Sequence, residues 1–261
     1  MMVGKDISVI IPVLNEKPNI ETLLEQFDSL VTDFGLSQIQ EVIFVDDGSS
    51  DGTIGIIKSN MGNHSYNVRL VERSCRLGTV NATITGCNAA VSDNVVVMDG
   101  DLQHPPHVIL EMTRRMHDGH DVIVASRHVT GGRNVWKPLR GAISRVAIFI
   151  SHLLVPATRK VKDSTSGFFM IKKNLISTLA PHQKRAKILL YVLASFPELK
   201  STEIPYTFVD RKQGSSKIVE TNVNFITNYM IEVIDYMRVA RRRKRPEGHN
   251  PTIAISNQIY K

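Results

Sequence analysis

An α/β fold with a mainly parallel central sheet and helices on both faces is what this sequence predicts. Two patterns predict it. Short β-branched runs alternate with segments of helical period through the first half of the chain, and the runs are apolar almost throughout, as strands covered on both faces must be. A third observation points to a ligand. Each run ends in polar or charged residues, and open α/β sheets bind ligands beyond the carboxyl ends of their strands, where strand order reverses.

The first expected strand, Ile7–Val13, runs into Asn15 and Glu16, and a helix follows at Asn19–Phe34. The second, Glu41–Asp47, leads into "DDGSSDGT" at 46–53, a loop that Asx turns and a helix cap would explain without any ligand. A helix at Thr53–Asn60, a strand at Val68–Glu72 and a helix at Thr79–Val91 come next. The strand Asn94–Asp99 then opens into "MDGDLQHPP" at 98–106, before a helix at Pro106–His117. The fifth strand, Asp121–Ser126, ends in Arg127. Together these form a Rossmann-like layer.

Asp101 by itself fits a strand-end turn that caps the helix opened by Pro105 and Pro106. The pair is harder to explain that way. Carboxylates one residue apart repel unless something positive lies between them, and several acid-rich strand ends share this edge. Hard oxygen donors without a Cys and His set suit Mg2+ or Mn2+, and Mg2+ takes only one or two protein carboxylates before completing its shell with phosphate and water. A diphosphate is therefore expected. His104 and His107 flank the prolines and are assigned first-turn or surface roles. No Walker loop is present and no G-x-G-x-x-G follows the first strand, which disfavours ATPase and dinucleotide readings.

Composition sets the outer limits. The chain has 261 residues, 42% hydrophobic and 22% charged, as expected for a soluble globular protein with one large domain and decorations. Its two cysteines make no disulfide framework, and no secretory leader opens the sequence, so a reduced, cytoplasmic setting is expected. No transmembrane helix is expected either: the best stretch, Ala142–Val155, is broken by Ser144, Arg145, Ser151 and His152. The net charge of +7 favours anionic partners. Its cations lie in a tail and in loops without a recognition module, so no nucleic-acid partner is expected.

The motifs "SVIIPVLNE", "EVIFVDDGSSDGT", "MDGDLQHPP", "SRHVTGG", "WKPLRGAISR", "DSTSGFFMIKK" and "IPYTFVDRKQGSSK" occur in order over about residues 7–218. As a set they resemble the dolichyl-phosphate mannosyltransferases, inverting nucleotide-sugar transferases of the GT-A fold. The resemblance implies transfer of mannose from GDP-mannose to dolichyl or another polyprenyl phosphate. It implies that Pro12, Leu14, Glu16, Val45 and Asp47 hold the donor, beside Asp99, Gly100 and Asp101. It implies a metal site of Asp99, Asp101 and Gln103 for Mg2+ or Mn2+. Asp101, Arg127, Arg211 and Lys217 become the catalytic candidates, the last three also facing donor phosphates. Arg127, Arg140 and Lys217 become candidates for the acceptor phosphate. Two positions depart from the family pattern. Leu14 stands where an aromatic is usual, which loosens guanine specificity, and Gly100 stands where alanine is commoner. The same motifs admit a UDP-glucose:dolichyl-phosphate glucosyltransferase, and a non-catalytic nucleotide-sugar-binding relative is the reading from another class.

These residue types suit the chemistry. Cations beside a departing diphosphate stabilise the charge that accumulates on it, and an acceptor that is already an anion needs no dedicated base. Gly214, Ser215 and Ser216, between Arg211 and Lys217, fit a loop that closes over the donor. The expected division is a catalytic domain over 1–218, including an amphipathic acceptor-side helix at about 139–156. A C-terminal helix over 219–243 and a basic, disordered tail over 244–261 complete it. In the C-terminal helix Ile226, Met230, Val233 and Met237 share one face, followed by "RRRKR" at 241–245. That face either lies on an anionic membrane or packs on the core. Trp136 is assigned to the same interface or to local loop packing. Peripheral attachment at the cytoplasmic face of a membrane, directly or through a membrane-anchoring subunit, follows from a lipid acceptor.

Overall fold

The computed structural model describes residues 6–134, 138–179, 187–208 and 229–238, with the side chains of 134, 138–140 and 142 outside the description. The first half alternates as expected: β1 (Ile7–Val13), α1 (Lys17–Thr32), β2 (Ile39–Asp46), α2 (Thr53–Asn60), β3 (Asn67–Glu72), α3 (Thr79–Ala89), β4 (Asn94–Val97), α4 (Val108–His117) and β5 (Val122–Ser126). The second half adds β6 (Arg133–Asn134), α5 (Pro138–Leu154), a 3-10 turn (Pro156–Lys160), β7 (Phe169–Lys172), α6 (Lys173–Ser177), α7 (Ile188–Ser195), β8 (Ser201–Pro205) and β9 (Thr207–Phe208). A further helix spans 229–238.

The main sheet has the order β3-β2-β1-β4-β7-β5-β8, and β6 pairs with β9 in a small second sheet. All neighbours in the main sheet are parallel except β7, which runs antiparallel to both β4 and β5. The chain steps outward from β1 to β3 and then returns to place β4 on the other side of β1. That reversal makes the crevice in which such sheets bind ligands.

Alternation along each strand divides the core into two layers. Val9 and Ile11 face α1 and α4, where Ile20, Leu23, Phe27, Ile109 and Met112 are buried. Ile10, Ile43 and Val45 face α3 and α7, and Val233 and Tyr236 of the 229–238 helix are buried in that same layer. The apolar stripe through Val233 and Met237 therefore turns toward the core in the described helix. Gly86 permits close packing of α3: a Cβ there would approach Ile10 Cγ2 to 2.4 Å and Val45 Cγ2 to 2.8 Å.

Several boundaries shift for identifiable reasons. α1 begins at Lys17, ahead of the expected start, because Pro18 suits the first helical turn. α4 begins at Val108, with His107 as its N-cap, and Pro105 and Pro106 occupy the turn before it. β7 was legible only as part of a motif. Its antiparallel direction brings its amino end to the edge where β4 and β5 finish, so residues 163–168 enter between them.

Candidate active site

At the end of β1, Pro12 and Leu14 are half-buried and Asn15 is exposed in a left-handed conformation, with φ of 54°. Asn15 Oδ1 accepts the Ser50 N–H at 2.8 Å, fastening the β1 turn to the loop after β2. Glu16 Oε2 accepts from Asn19 Nδ2 at 2.7 Å. Asp46 turns the next loop by accepting the Gly48 and Ser49 N–H groups, both at 2.9 Å. Asp47 organises a different segment: its carboxylate accepts from Arg73 Nη1 at 2.8 Å, Leu77 N–H at 3.1 Å and Gly78 N–H at 2.9 Å. The Val45 side chain is fully buried against α3.

Beyond β4 the ladder's last bond runs from Met98 N–H to Ile10 O at 3.2 Å. The Asp99 side chain is 48% exposed, whereas Asp101 and Gln103 are buried. Asp101 Oδ1 accepts the Gln103 N–H at 3.1 Å, making a local turn at the strand end, while His107 occupies the N-cap position of α4. Leu102 between them has φ of 62°, a conformation costly for a γ-branched residue and concentrated at functional turns. Gly100 faces inward: a Cβ would lie 3.1 Å from Val13 Cγ1 and 3.2 Å from Ile11 Cγ2. Packing on β1 thus explains the small residue.

His104 corrects the surface assignment. Its ring is 2% exposed, stacks on Phe168 at 5.2 Å and meets Tyr206 and Phe208 edge-on. Nδ1 accepts the Asp99 N–H at 3.0 Å, and burial pushes the ring's pKa down to about 4, leaving it neutral at pH 7. His107 remains exposed. A defined His and carboxylate pairing also exists away from this edge, where His64 Nδ1 meets both Asp28 oxygens at 2.9 and 3.0 Å.

Arg127, at the end of β5, is buried and forms a fork-to-fork pair with fully buried Asp163. Its Nε reaches Asp163 Oδ2 at 2.7 Å, Nη2 reaches Oδ1 at 2.7 Å, and its main-chain N–H adds a third bond at 3.1 Å. Burial alone would raise the Asp163 carboxyl's pKa; the Arg127 guanidinium outweighs this and holds it below the usual carboxylate range. Burial likewise opposes the charge on Arg127, yet Asp163 raises its pKa. The guanidinium lies 5.5 Å from the centre of the Phe208 ring. Arg127 is thus a fixed cation rather than the solvated residue that its place after a strand would permit.

Asp163 and His104 were missed as site residues. Asp163 opens the "DSTSGFF" motif, and that acidic start was its only sequence signal. At Lys187, immediately before α7, burial lowers the pKa while the charge of Asp99 acts in the opposite direction. Arg140 sits in the first turn of α5, but its side chain lies outside the description. Trp136, Arg211, Gly214, Ser215, Ser216, Lys217 and residues 241–245 lie outside the described residues, as does the rest of the proposed tail.

The acidic loop suits a hard divalent cation. Two carboxylates and an amide supply oxygen donors, and Gly167 keeps the approach to Asp99 open, since a Cβ there would come within 3.3 Å of Asp99 Oδ2. Among the described residues no three His, Cys, Asp or Glu side chains form a metal cluster. No described helix is long and apolar enough to cross a membrane.

Comparison with known proteins adds an independent line. A family model for Glycosyl transferase family 2 matches residues 8–179. The dolichol-phosphate mannosyltransferase of Pyrococcus furiosus is 36% identical over 213 residues, covering 81% of this chain and 59% of that relative's length. The dolichol-phosphate mannosyltransferase of Saccharomyces cerevisiae is 31% identical over 221 residues, covering 81% of this chain and 80% of the yeast protein. In fold, the chain resembles glucosyl-3-phosphoglycerate synthase from Mycobacterium tuberculosis, solved with Mn2+, UDP and glucosyl-3-phosphoglycerate. The TM-score is 0.66 at 20% identity, with coverage of 91% of this chain and 80% of that one.

Proposed function

The chain belongs to glycosyl transferase family 2, in its dolichol-phosphate mannosyltransferase branch, and from that premise we propose that it transfers mannose from GDP-mannose to a polyprenyl phosphate such as dolichyl phosphate. The observation that carries the reading is the convergence at one sheet edge of Asp99, Asp101 and Gln103 beyond β4 with the Arg127–Asp163 pair beside β5. An anionic donor with an anionic acceptor needs both halves of that arrangement.

In the proposed reaction a phosphate oxygen of the lipid bonds to the mannose C1 from the face opposite the diphosphate. The C1–O bond to the donor breaks, its electron pair leaves with GDP, and the configuration inverts. Asp99, Asp101 and Gln103 would hold Mg2+ or Mn2+, which when bound neutralises charge on the diphosphate. The lipid phosphate is already ionised, so no side chain has to remove a proton from it. Arg127, held by Asp163, supplies fixed positive charge against the repulsion between donor and acceptor. Arg140, Arg211 and Lys217 are assigned to the same phosphate-binding task, and Pro12, Leu14, Glu16, Val45 and Asp47 to the nucleotide. The domain division at about residue 218 belongs to this proposal.

A lipid acceptor places the reaction at a membrane surface. Val146, Phe149 and Leu153 are 54%, 66% and 59% exposed along one side of α5, and Ile231 is exposed on the 229–238 helix, whose Tyr229 hydroxyl bonds the Ala147 carbonyl at 3.0 Å. This apolar face suits interfacial attachment, and direct attachment or a membrane-anchoring subunit would use it. Free thiols at Cys75 and Cys87 are consistent with the cytoplasmic face.

The donor is tested by incubating the protein and dolichyl phosphate with labelled GDP-mannose or UDP-glucose, with Mg2+ or Mn2+, and extracting the lipid. Mannolipid with inverted configuration is expected. Glucolipid instead would keep the mechanism and change the donor, a result that Leu14 makes worth measuring. Absence of lipid product with either donor, from folded protein, would refute the reading.

A further inference from the structure

We propose that His104 is a positioning residue for the acidic loop: its Nδ1 holds the first main-chain amide beyond β4, and a cage of aromatic rings holds the imidazole. The inference rests on the reading of that loop as the site of the donor diphosphate and its cation.

The sheet stops holding the chain at Met98, whose N–H bonds Ile10 O. Asp99 N–H points to His104 Nδ1 at 3.0 Å, so an imidazole five residues later takes over from the ladder. Between these points lie Asp99, Gly100, Asp101, the left-handed Leu102 and Gln103. The bond closes this segment into a ring containing all three expected metal donors. A costly φ at Leu102 persists only where its surroundings over-determine it, and the closure supplies such a constraint.

The imidazole is itself immobilised. It stacks on Phe168 with an interplanar angle of 22°, and Tyr206 and Phe208 meet it edge-on with centroids at 6.0 and 5.7 Å. Gly167 lies alongside the ring, where a Cβ would sit in ordinary contact, 3.4 Å from His104 Cε1. Phe208 also lies beneath the Arg127 guanidinium. The same cage therefore sets the acidic loop against the fixed cation across the crevice. A histidine that merely filled the core would need the rings but not the bond to Asp99.

Two measurements on the full chain test this role. Two-bond 1H–15N NMR should find the His104 ring protonated on Nε2 alone, with Nδ1 as acceptor; a proton on Nδ1 overturns the proposal. Mn2+ titration followed by electron paramagnetic resonance, with GDP present, should show weakened binding in His104→Phe, which keeps the stack and loses the acceptor. Outer-shell partners typically matter by about 10–100-fold in metal affinity. His104→Asn, with an acceptor near the Nδ1 position, should recover most of that loss. Wild-type affinity in folded His104→Phe, or an equal loss in both variants, overturns the role given to His104. Binding undiminished in Asp101→Ala instead overturns the reading of the loop as the cation site. The NMR result stands even if a variant fails to fold.

Discussion

At the residue scale the strongest electrostatic commitment is the Arg127–Asp163 pair. Both groups are buried, so removing one leaves the other uncompensated, at a cost of about 3–5 kcal/mol. Asp163→Ala should therefore lower stability by that amount in urea unfolding at pH 7, and impair transfer by releasing Arg127. The pH dependence has a definite sign. The Asp163 pKa lies below its ordinary 3.8 in the folded chain. Its contribution is thus complete above about pH 4 and fades as pH falls through the folded value. The stability gap between wild type and variant should narrow in strong acid; a gap independent of pH would contradict the pairing. The strand-end acids and Arg127 were visible as residue types at fixed places. Asp163 was not identified as their partner, because it reaches Arg127 across 36 residues through an antiparallel strand that local patterning did not predict.

At the level of elements, two substitutions separate packing from attachment. Gly86→Ala inserts a Cβ into contacts of 2.4 and 2.8 Å with buried branched side chains, so it should cost about 1–3 kcal/mol by forcing α3 off the sheet. Thermal unfolding reads this directly, and an unchanged midpoint would show that α3 is more loosely seated. Phe149→Glu is different: the side chain is 66% exposed, so stability should hardly change while sedimentation with anionic vesicles falls. Equal vesicle binding would remove α5 from the membrane face. The first five strands were legible because their apolar runs are continuous and bounded by turns. The C-terminal apolar stripe admitted either a membrane or a core, and periodicity cannot distinguish them; burial of Val233 and Tyr236 assigns the described part to the core.

For the whole molecule, the reversal in strand order and the inserted antiparallel β7 decide where chemistry can occur. They bring the ends of β4 and β5 and the start of β7 to one edge, joining residues far apart in sequence. Ligands that bind only the folded state should stabilise all of it: Mn2+ with GDP at about a hundred times the dissociation constant should add about 2.7 kcal/mol. Chelation should reverse the gain, and a shift insensitive to chelator would argue against a cation-linked donor site. In the proposed reaction sugar moves to a lipid phosphate at the Asp99–Gln103 edge. The most direct test compares mannolipid formation from GDP-mannose and dolichyl phosphate by wild type and by Asp101→Ala shown to be folded. Product is expected from wild type, with a loss on the order of a hundredfold or more in the variant; equal rates in the two proteins, or no lipid product from wild type, would rule out transfer at this edge.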